Sequence, residues 1–296
     1  MSDSPNRVVQ GNMIGLEMAD IDVWSERVVT ILGQNPSAFT GPGTNTYLVG
    51  TSSAPLLLDT GSGEAAWIPL LKQALEEQRQ SRELQEIVIT HAHPDHIGGV
   101  KDVRQEFGDL LTSKRPWEGM DGPIEGAVQA IDGGAVIETE GATLKAIFTP
   151  GHSCDHLCYW LEEERAIFTG DVVLGAGTTV IPEHGGDLLD YMRSLACLLA
   201  LEPEVLYPAH GPVIRNASEK IRQYIAHREL REQQILEVLA AGISEVPEMV
   251  KTIYADIPEF LWPAAGTSVR SHLAKLIRES RATREGDHFA LQDKPA

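Results

Sequence analysis

Cysteine is scarce in this chain: Cys154, Cys158 and Cys197 are all there is, with no framework spacing. An odd, unpatterned count excludes a disulfide scaffold and is what a reducing compartment produces, so reduced, half-buried thiols are expected. No apolar run approaches the roughly 18 residues that a membrane helix requires, and Met1 to Gln10 hold no hydrophobic signal core. No membrane association is expected. A cytoplasmic location is, with an organelle matrix left open, because Asp3 and the single Arg7 do not resemble a targeting peptide. Basic residues are also few: 24 Lys and Arg against 43 Asp and Glu give a net charge of −19. Roughly −18 of this falls in residues 1–215 and about −1 beyond them. Such a surface repels polyanions and weighs against a nucleic-acid substrate without excluding one, since divalent metals invert the field locally. The remainder is ordinary for a globular protein of 296 residues: 42% hydrophobic and 23% charged, enough for one large domain and a small one.

Short strands punctuated by turns are expected at Val28–Leu32, Thr46–Val49 and Pro55–Asp59. A helix follows over Ala65–Gln80, where Ile68, Leu71 and Leu75 recur at helical spacing, then a strand at Glu86–Thr90 and a helix at Ile97–Phe107. Ala142–Phe148 reads as a strand, and Leu157–Leu161 with Ala166–Thr169 as a hairpin. Asp187 is placed to cap a helix reaching about Leu199, and Glu204–Tyr207 forms a last strand. Strand-rich segments interleaved with helices imply an α+β fold with sheets packed between helical layers. From residue 216 the pattern turns to long helix, Ala217–Ala240, then Val246–Tyr254, Ser268–Ser280 and a strand pair around Thr283 and Phe289. This end resembles a winged helix, its last helix turning Val269, Leu273, Leu276 and Ile277 inward and Lys275, Arg278 and Arg281 outward. The expected division is residues 1–215 and 216–296.

The chemistry sits in Thr90-His91-Ala92-His93-Pro94-Asp95-His96, which follows the apolar strand Ile87 to Ile89. Alternate residues of an extended segment face one side, so His91 and His93 can share an ion. Pro94 then turns the chain and lets Asp95 and His96 reach a second position. A lone histidine is more often a surface or satisfied polar residue; three with an Asp in six positions are not. The same arrangement, an apolar strand ending on a turn with a ligand-type side chain, recurs at His152, Asp171 and His210. Strand ends are rigid places from which to aim side chains into one cleft. His156 is expected to support rather than ligate, and His184 to be an exposed loop residue.

Together these runs resemble the metallo-β-lactamase superfamily, whose pattern is H-x-H-x-D-H followed by a His, an Asp and a final His. The resemblance covers residues 28 to 215. It implies a four-layer αβ/βα sandwich, with His91, His93 and His152 holding one metal, Asp95, His96 and His210 a second, and Asp171 bridging both. Asp59 matches a buried support of the ligand loop. Gly43 to Gly50, Glu140 to Leu144, Gly175 to Val180, His210 to Ile214 and His227 to Gln234 further resemble the β-lactamase-like protein 2 group of zinc-dependent endoribonucleases, with a small winged-helix-like C-terminal domain. One departure is Cys154, where relatives commonly carry a small or acidic polar residue. Substrate contacts are expected from Asn45 and Thr46.

The resemblance implies a dinuclear zinc hydrolase, manganese or iron being the other candidates, that attacks with a metal-bridging hydroxide oriented by Asp95 and held between ions by Asp171. The first expected substrate is single-stranded RNA. The alternative is an acyl-thioester, as in glyoxalase II and polyketide-releasing thioesterases, and the acidic charge favours it. β-Lactamase activity comes third, because those enzymes commonly replace the residue matching Asp171. A non-catalytic binding module is disfavoured by the intact set of seven. The C-terminal unit is open to RNA binding, homodimer formation or closure of the cleft.

Overall fold

The computed structural model describes residues 13, 15–121, 124 and 126–292. Its first sheet runs β1 (Ile21–Val23), β2 (Val28–Leu32), β3 (Asn45–Val49) and β4 (Leu56–Leu58) antiparallel, in sequence order. After helix α1 (Trp67–Arg79), strand β5 (Ile87–Val88) pairs parallel with β4. Helices α2 (Pro94–Ile97) and α3 (Val100–Phe107) lead to β6 (Thr112–Lys114) and β7 (Val128–Ala130), again parallel. The second sheet comprises β8 (Val136–Thr139), β9 (Ala142–Phe148), β10 (Leu157–Leu161), β11 (Ala166–Gly170) and, after α4 (Leu188–Ala200), β12 (Val205–Pro208). Its strands are antiparallel except for the β11–β12 pair.

Alternation along the strands builds the layers. In β2, Val28 enters the core between the two sheets while Val29 and Ile31 face α1 and α3; in β4, Leu56 and Leu58 point inward and Leu57 outward. On the far sheet, Tyr159, Phe168 and Tyr207 fill the central core, whereas Cys158, Ile167 and Leu206 pack on α4. The central strands therefore separate two apolar cores, and the expected four layers, helix, sheet, sheet, helix, are present. Asp187 caps α4 as its sequence suggests, its carboxylate accepting from Asp190 N at 2.9 Å.

The C-terminal helices are α5 (Ala217–Ala240), α6 (Val246–Ile253) and α7 (Trp262–Arg278), closed by the hairpin β13 (Ala282–Glu285) and β14 (His288–Leu291). They share a core of Val238, Leu239, Met249, Val269, Leu273 and Phe289. The boundary expected at residue 216 is not a clean seam. Ala217, Ile221 and Tyr224, on the first turns of α5, belong to the core under the second sheet, while Ile235 and Leu239, on its last turns, belong to the C-terminal core.

Helix α7 corrects two expectations about its faces. Ile277 is 37% exposed rather than inward, and Lys275 is turned into an ion pair with Glu232 of α5 at 2.6 Å. Arg278 pairs with Asp187 and Asp190, Arg270 with Glu183, and Arg281 with Glu232 and Glu279. His272 is buried on the inner face of α7, and the basic residues pair with α5, the loop before α4 and its first turn. Among the described residues no helix is long and apolar enough to cross a membrane.

Candidate metal centre

Five strand ends converge at one edge of the sandwich. Asp59 follows β4, His91 and His93 follow β5, His152 follows β9, Asp171 follows β11 and His210 follows β12. Two glycines make the close approaches possible. Gly151 has φ +132°, and a Cβ there would lie 2.3 Å from Tyr191 Cα; Gly170, at φ +47°, would meet His156 Nε2 at 2.5 Å. His93 caps α2 in extended conformation with Pro94 opening the helix, which turns Asp95 and His96 toward the same cleft.

All seven side chains expected in the site come together in two groups, His91, His93, His152 and Asp171 in one and Asp95, His96 and His210 in the other. In the first, His93 Nδ1 lies 2.9 Å from both His91 Nε2 and His152 Nε2. Asp171 spans the two: Oδ2 is 3.4 Å from His152 Nε2, and Oδ1 is 3.1 Å from His210 Nε2 and 3.5 Å from His96 Nε2. Asp95 Oδ2 lies 3.4 Å from His210 Nε2 and 3.5 Å from His96 Nε2.

Outer contacts aim these rings. Asp59 is buried; its Oδ1 accepts from Thr90 N at 2.8 Å, and its Oδ2 accepts from Thr90 Oγ1 at 2.9 Å and from His96 Nδ1 at 2.8 Å. That fixes Nε2 as the ring atom of His96 turned to the cleft. His152 Nδ1 donates to Val180 O at 2.8 Å. His156, buried as a supporting residue, accepts from Asp171 N at 3.1 Å through Nε2. Asp155 takes Ala92 N at 2.9 Å and so holds the backbone between His91 and His93.

Electrostatics divide the histidines. Burial and the neighbouring imidazoles hold His91 well below the usual range and His93 at about 4, so both keep free lone pairs. Burial opposes charge on His96 and His210 as well, but Asp95, Asp59 and Asp171 outweigh it at His96, and Asp171 with Asp95 raises His210 to about 9. Burial would raise Asp95, yet His96 and His210 bring it to about 2. The buried carboxylates thus demand positive charge. His96 Nε2 and Asp171 Oδ1 are also buried with no hydrogen-bond partner, a costly arrangement unless their lone pairs meet a cation. Imidazole nitrogens and carboxylate oxygens in this number fit two borderline divalent ions.

Asn45 and Thr46 must be reassigned. Both are completely buried: Asn45 Nδ2 donates to Pro208 O and Gly211 O at 2.8 Å each, and Thr46 Oγ1 donates to Ile31 O at 2.8 Å. They brace the His210 loop and β2, with no side chain left for a substrate. Cys154 is exposed and Cys158 fully buried, so neither is the half-buried thiol expected of it. His184 is exposed and stacks on Trp117 with ring centroids 5.8 Å apart.

Sequence reasoning missed Arg228. From α5, this buried side chain donates to Thr179 O, while Thr179 Oγ1 donates to Asp171 O at 2.6 Å. Tyr224 on the same helix accepts from Leu174 N at 3.0 Å and donates to Gly177 O at 2.9 Å. The loop carrying Asp171 and Val180 is therefore braced by the helix that joins the two units. The signals were its place in the run His227 to Gln234, to which the resemblance assigns no role, and an Arg four residues after a Tyr on the apolar stripe of a helix.

The cleft over these ligands has a volume of about 690 Å³. Phe39, Leu174, Val180, Ile257 and Leu261 line it, and among the described residues neither Lys nor Arg does.

A helix-flanked double sheet with a His and Asp cluster at its strand ends defines a metal-dependent hydrolase. The chain belongs to the metallo-β-lactamase superfamily, whose family model matches residues 39–210. Residues 246–291 match the β-lactamase associated winged helix domain, in agreement with the C-terminal unit. The chain is 42% identical to the beta-lactamase-like protein 2 homolog of Caenorhabditis elegans over 275 residues, 91% of this chain and 90% of the relative. It is 39% identical to the atrochrysone carboxyl ACP thioesterase of Aspergillus fumigatus over 254 residues, 82% of this chain and 78% of that one. The crystal structure of a beta-lactamase domain protein from Burkholderia ambifaria shares the fold with a TM-score of 0.77 at 17% identity, covering 98% of this chain and 99% of that one.

Proposed function

We propose that this protein is a cytoplasmic dinuclear zinc hydrolase that cleaves the thioester of an apolar acyl group. The observation that carries the reading is the composition of the cleft: apolar walls rise around His93, Asp95, His152, Asp171 and His210, with neither Lys nor Arg in the described lining. A phosphodiester chain needs cations along its backbone. The basic residues of α7 pair with Glu183, Asp187, Asp190 and Glu232, and none of them lines the cleft. A neutral thioester makes no such demand, and likeness to a thioesterase over 82% of the chain agrees with it.

His91, His93 and His152 would hold one ion, Asp95, His96 and His210 the other, and Asp171 both. Bound there, the ions supply Lewis acidity for the carbonyl and activate water for attack. Asp95, with Oδ2 beside His96 and His210, orients the attacking water, while the proton that water gives up and the one the departing sulfur takes are exchanged with solvent. Water and thioester so become a carboxylic acid and a thiol. Asp59, Asp155 and His156 keep the rings and the Asp171 backbone in place.

The test is zinc-loaded protein assayed on an octanoyl thioester, a single-stranded RNA oligonucleotide and a cephalosporin. Thioester turnover that vanishes in Asp95→Ala is expected. RNA cleavage with the thioester left intact overturns the proposal in favour of the phosphodiesterase the sequence suggests.

A further inference from the structure

The cleft is not made by the hydrolase unit alone. One wall comes from the β2–β3 loop through Phe39, another from the loop after β11 through Leu174 and Val180, and a third from the C-terminal unit through Asp256, Ile257, Pro258 and Leu261. These residues are also where apolar side chains stand in solvent: Phe39 is 72% exposed, Val180 42% and Leu261 39%, and Phe260 beside Leu261 is 75% exposed. Single exposed apolar residues are unremarkable, but a group of them around a metal cleft marks a surface that something apolar covers.

The C-terminal contribution is held in shape. Ile257 N donates to Tyr254 O at 3.2 Å, Leu261 N to Pro258 O at 2.9 Å, and the Arg231 guanidinium sits 4.6 Å over the Tyr254 ring. A single 3-10 turn, Glu259–Leu261, carries the segment into α7. Pro258 removes a donor and fixes the local backbone angle. The lip is therefore formed before any ligand arrives. Apart from the ligands, Asp256 is the one charged side chain in the described lining, and its sign repels an anionic end group.

Resting on the thioesterase reading above, we propose that the segment Asp256–Leu261 of the winged-helix unit, together with Phe39 and Val180, forms the acyl-binding lip that selects which acyl chains are hydrolysed. The winged helix then acts as the specificity element of the hydrolase. Ile257 and Leu261 cover the chain beyond the scissile carbonyl, and Asp256 rejects chains that end in a carboxylate. Continuity of the lip with the ligand cluster identifies the occupant as substrate: a group placed on Leu261 shares one cleft with His93 and Asp171.

The experiment measures kcat/KM for neutral N-acetylcysteamine thioesters from acetyl to decanoyl, and for butyryl against succinyl. For the unaltered protein, kcat/KM rises about fourfold per methylene buried until the lip is filled. Ile257→Ala with Leu261→Ala flattens this series, and Leu261→Trp moves its optimum to shorter chains. Asp256→Lys raises the succinyl-to-butyryl ratio by up to about fivefold. Ile277→Ala, an exposed site away from the cleft, leaves the octanoyl-to-acetyl ratio unchanged. An octanoyl-to-acetyl ratio equal to that of the unaltered protein in both lip variants overturns the proposal, provided thermal melts show them folded. Failure of the unaltered protein to hydrolyse any thioester instead removes the reading beneath it, so the two failures are distinct.

Discussion

Asp59→Asn isolates the electrostatics of the outer shell from its shape. The substitution keeps the volume, and the residue's φ of +58° is a left-handed value that asparagine tolerates, so the backbone has no reason to move. The carboxylate, however, accepts three hydrogen bonds while fully buried, one at Oδ1 and two at Oδ2. An amide offers one acceptor. Facing Thr90 N, it turns its NH2 toward His96 Nδ1–H, donor against donor; His96 escapes only by moving its proton to Nε2, the atom turned toward Asp95 and Asp171. One hydrogen bond to a charged acceptor is worth about 1.5–3 kcal/mol, and removing one such partner of a bound metal's ligand typically lowers affinity about 10–100-fold. The assay is competition for zinc against a chromophoric chelator, with thermal melts in chelator to read the metal-free fold. Zinc affinity within twofold of the unaltered protein would refute the reasoning, because His96 would then not depend on Asp59 for its tautomer. Asp59→Ala adds strain of about 1–3 kcal/mol at the positive φ, and it should melt lower than Asp59→Asn even without metal.

His93→Ala removes the nitrogen on which the first ligand group converges; turnover should fall below detection in a steady-state assay while far-UV circular dichroism stays unchanged, because the ring is only partly buried. Arg228→Met deletes the donor to Thr179 O and loosens the loop bearing Asp171; a fall of about tenfold in zinc affinity by chelator competition is expected, and an unchanged affinity would show that α5 does not brace the site. His272 is buried with both ring nitrogens unpartnered, and burial, then the nearby Arg228 and Lys275, push it well below the usual histidine range. A depressed histidine leaves stability intact above about pH 6.5 and removes it as pH falls toward the folded value, because the unfolded chain then binds the proton more readily. His272→Leu should therefore gain in melting temperature over the unaltered protein as pH drops from 7 to 5; a difference independent of pH would contradict this.

The site was legible because its residues break a rule locally. A run of His and Asp directly after Ile87 to Ile89 has no reason to exist in a buried strand end unless something binds there. Strands β2, β9 and β10 have the bounds their patterns suggest: β2 and β10 are buried along almost their whole length, and β9 alternates buried Ala142, Leu144 and Ala146 with more exposed residues. Strands β6 and β7 escaped notice because Thr112–Lys114 is short and polar and Val128–Ala130 is short and exposed; Lys114 is buried beside Asp121, 2.6 Å from its amine, and Asp155 at 3.6 Å. Helix α7 starts at Trp262 rather than Ser268 because Pro263, which reads as a breaker, sits in the first turn where its missing N–H costs nothing. Asn45 and Thr46 were misassigned for the opposite reason: residue type suggests a polar contact but not whether the partner is a ligand or the chain itself. Composition marked the change at residue 216 yet could not show which core each turn of α5 enters.

That shared helix bears on how the protein comes apart. Its 24 residues span about 36 Å, with Ile221 and Tyr224 anchored under one core and Ile235 and Leu239 under the other. Unwinding the far end deprives the near end of the hydrogen-bonded turns that hold Tyr224 on the metal loop. The two units consequently lack independent melting points: scanning calorimetry should record a single cooperative endotherm, and a chain cut at residue 216 should lose the hydrolase unit's transition along with the winged helix.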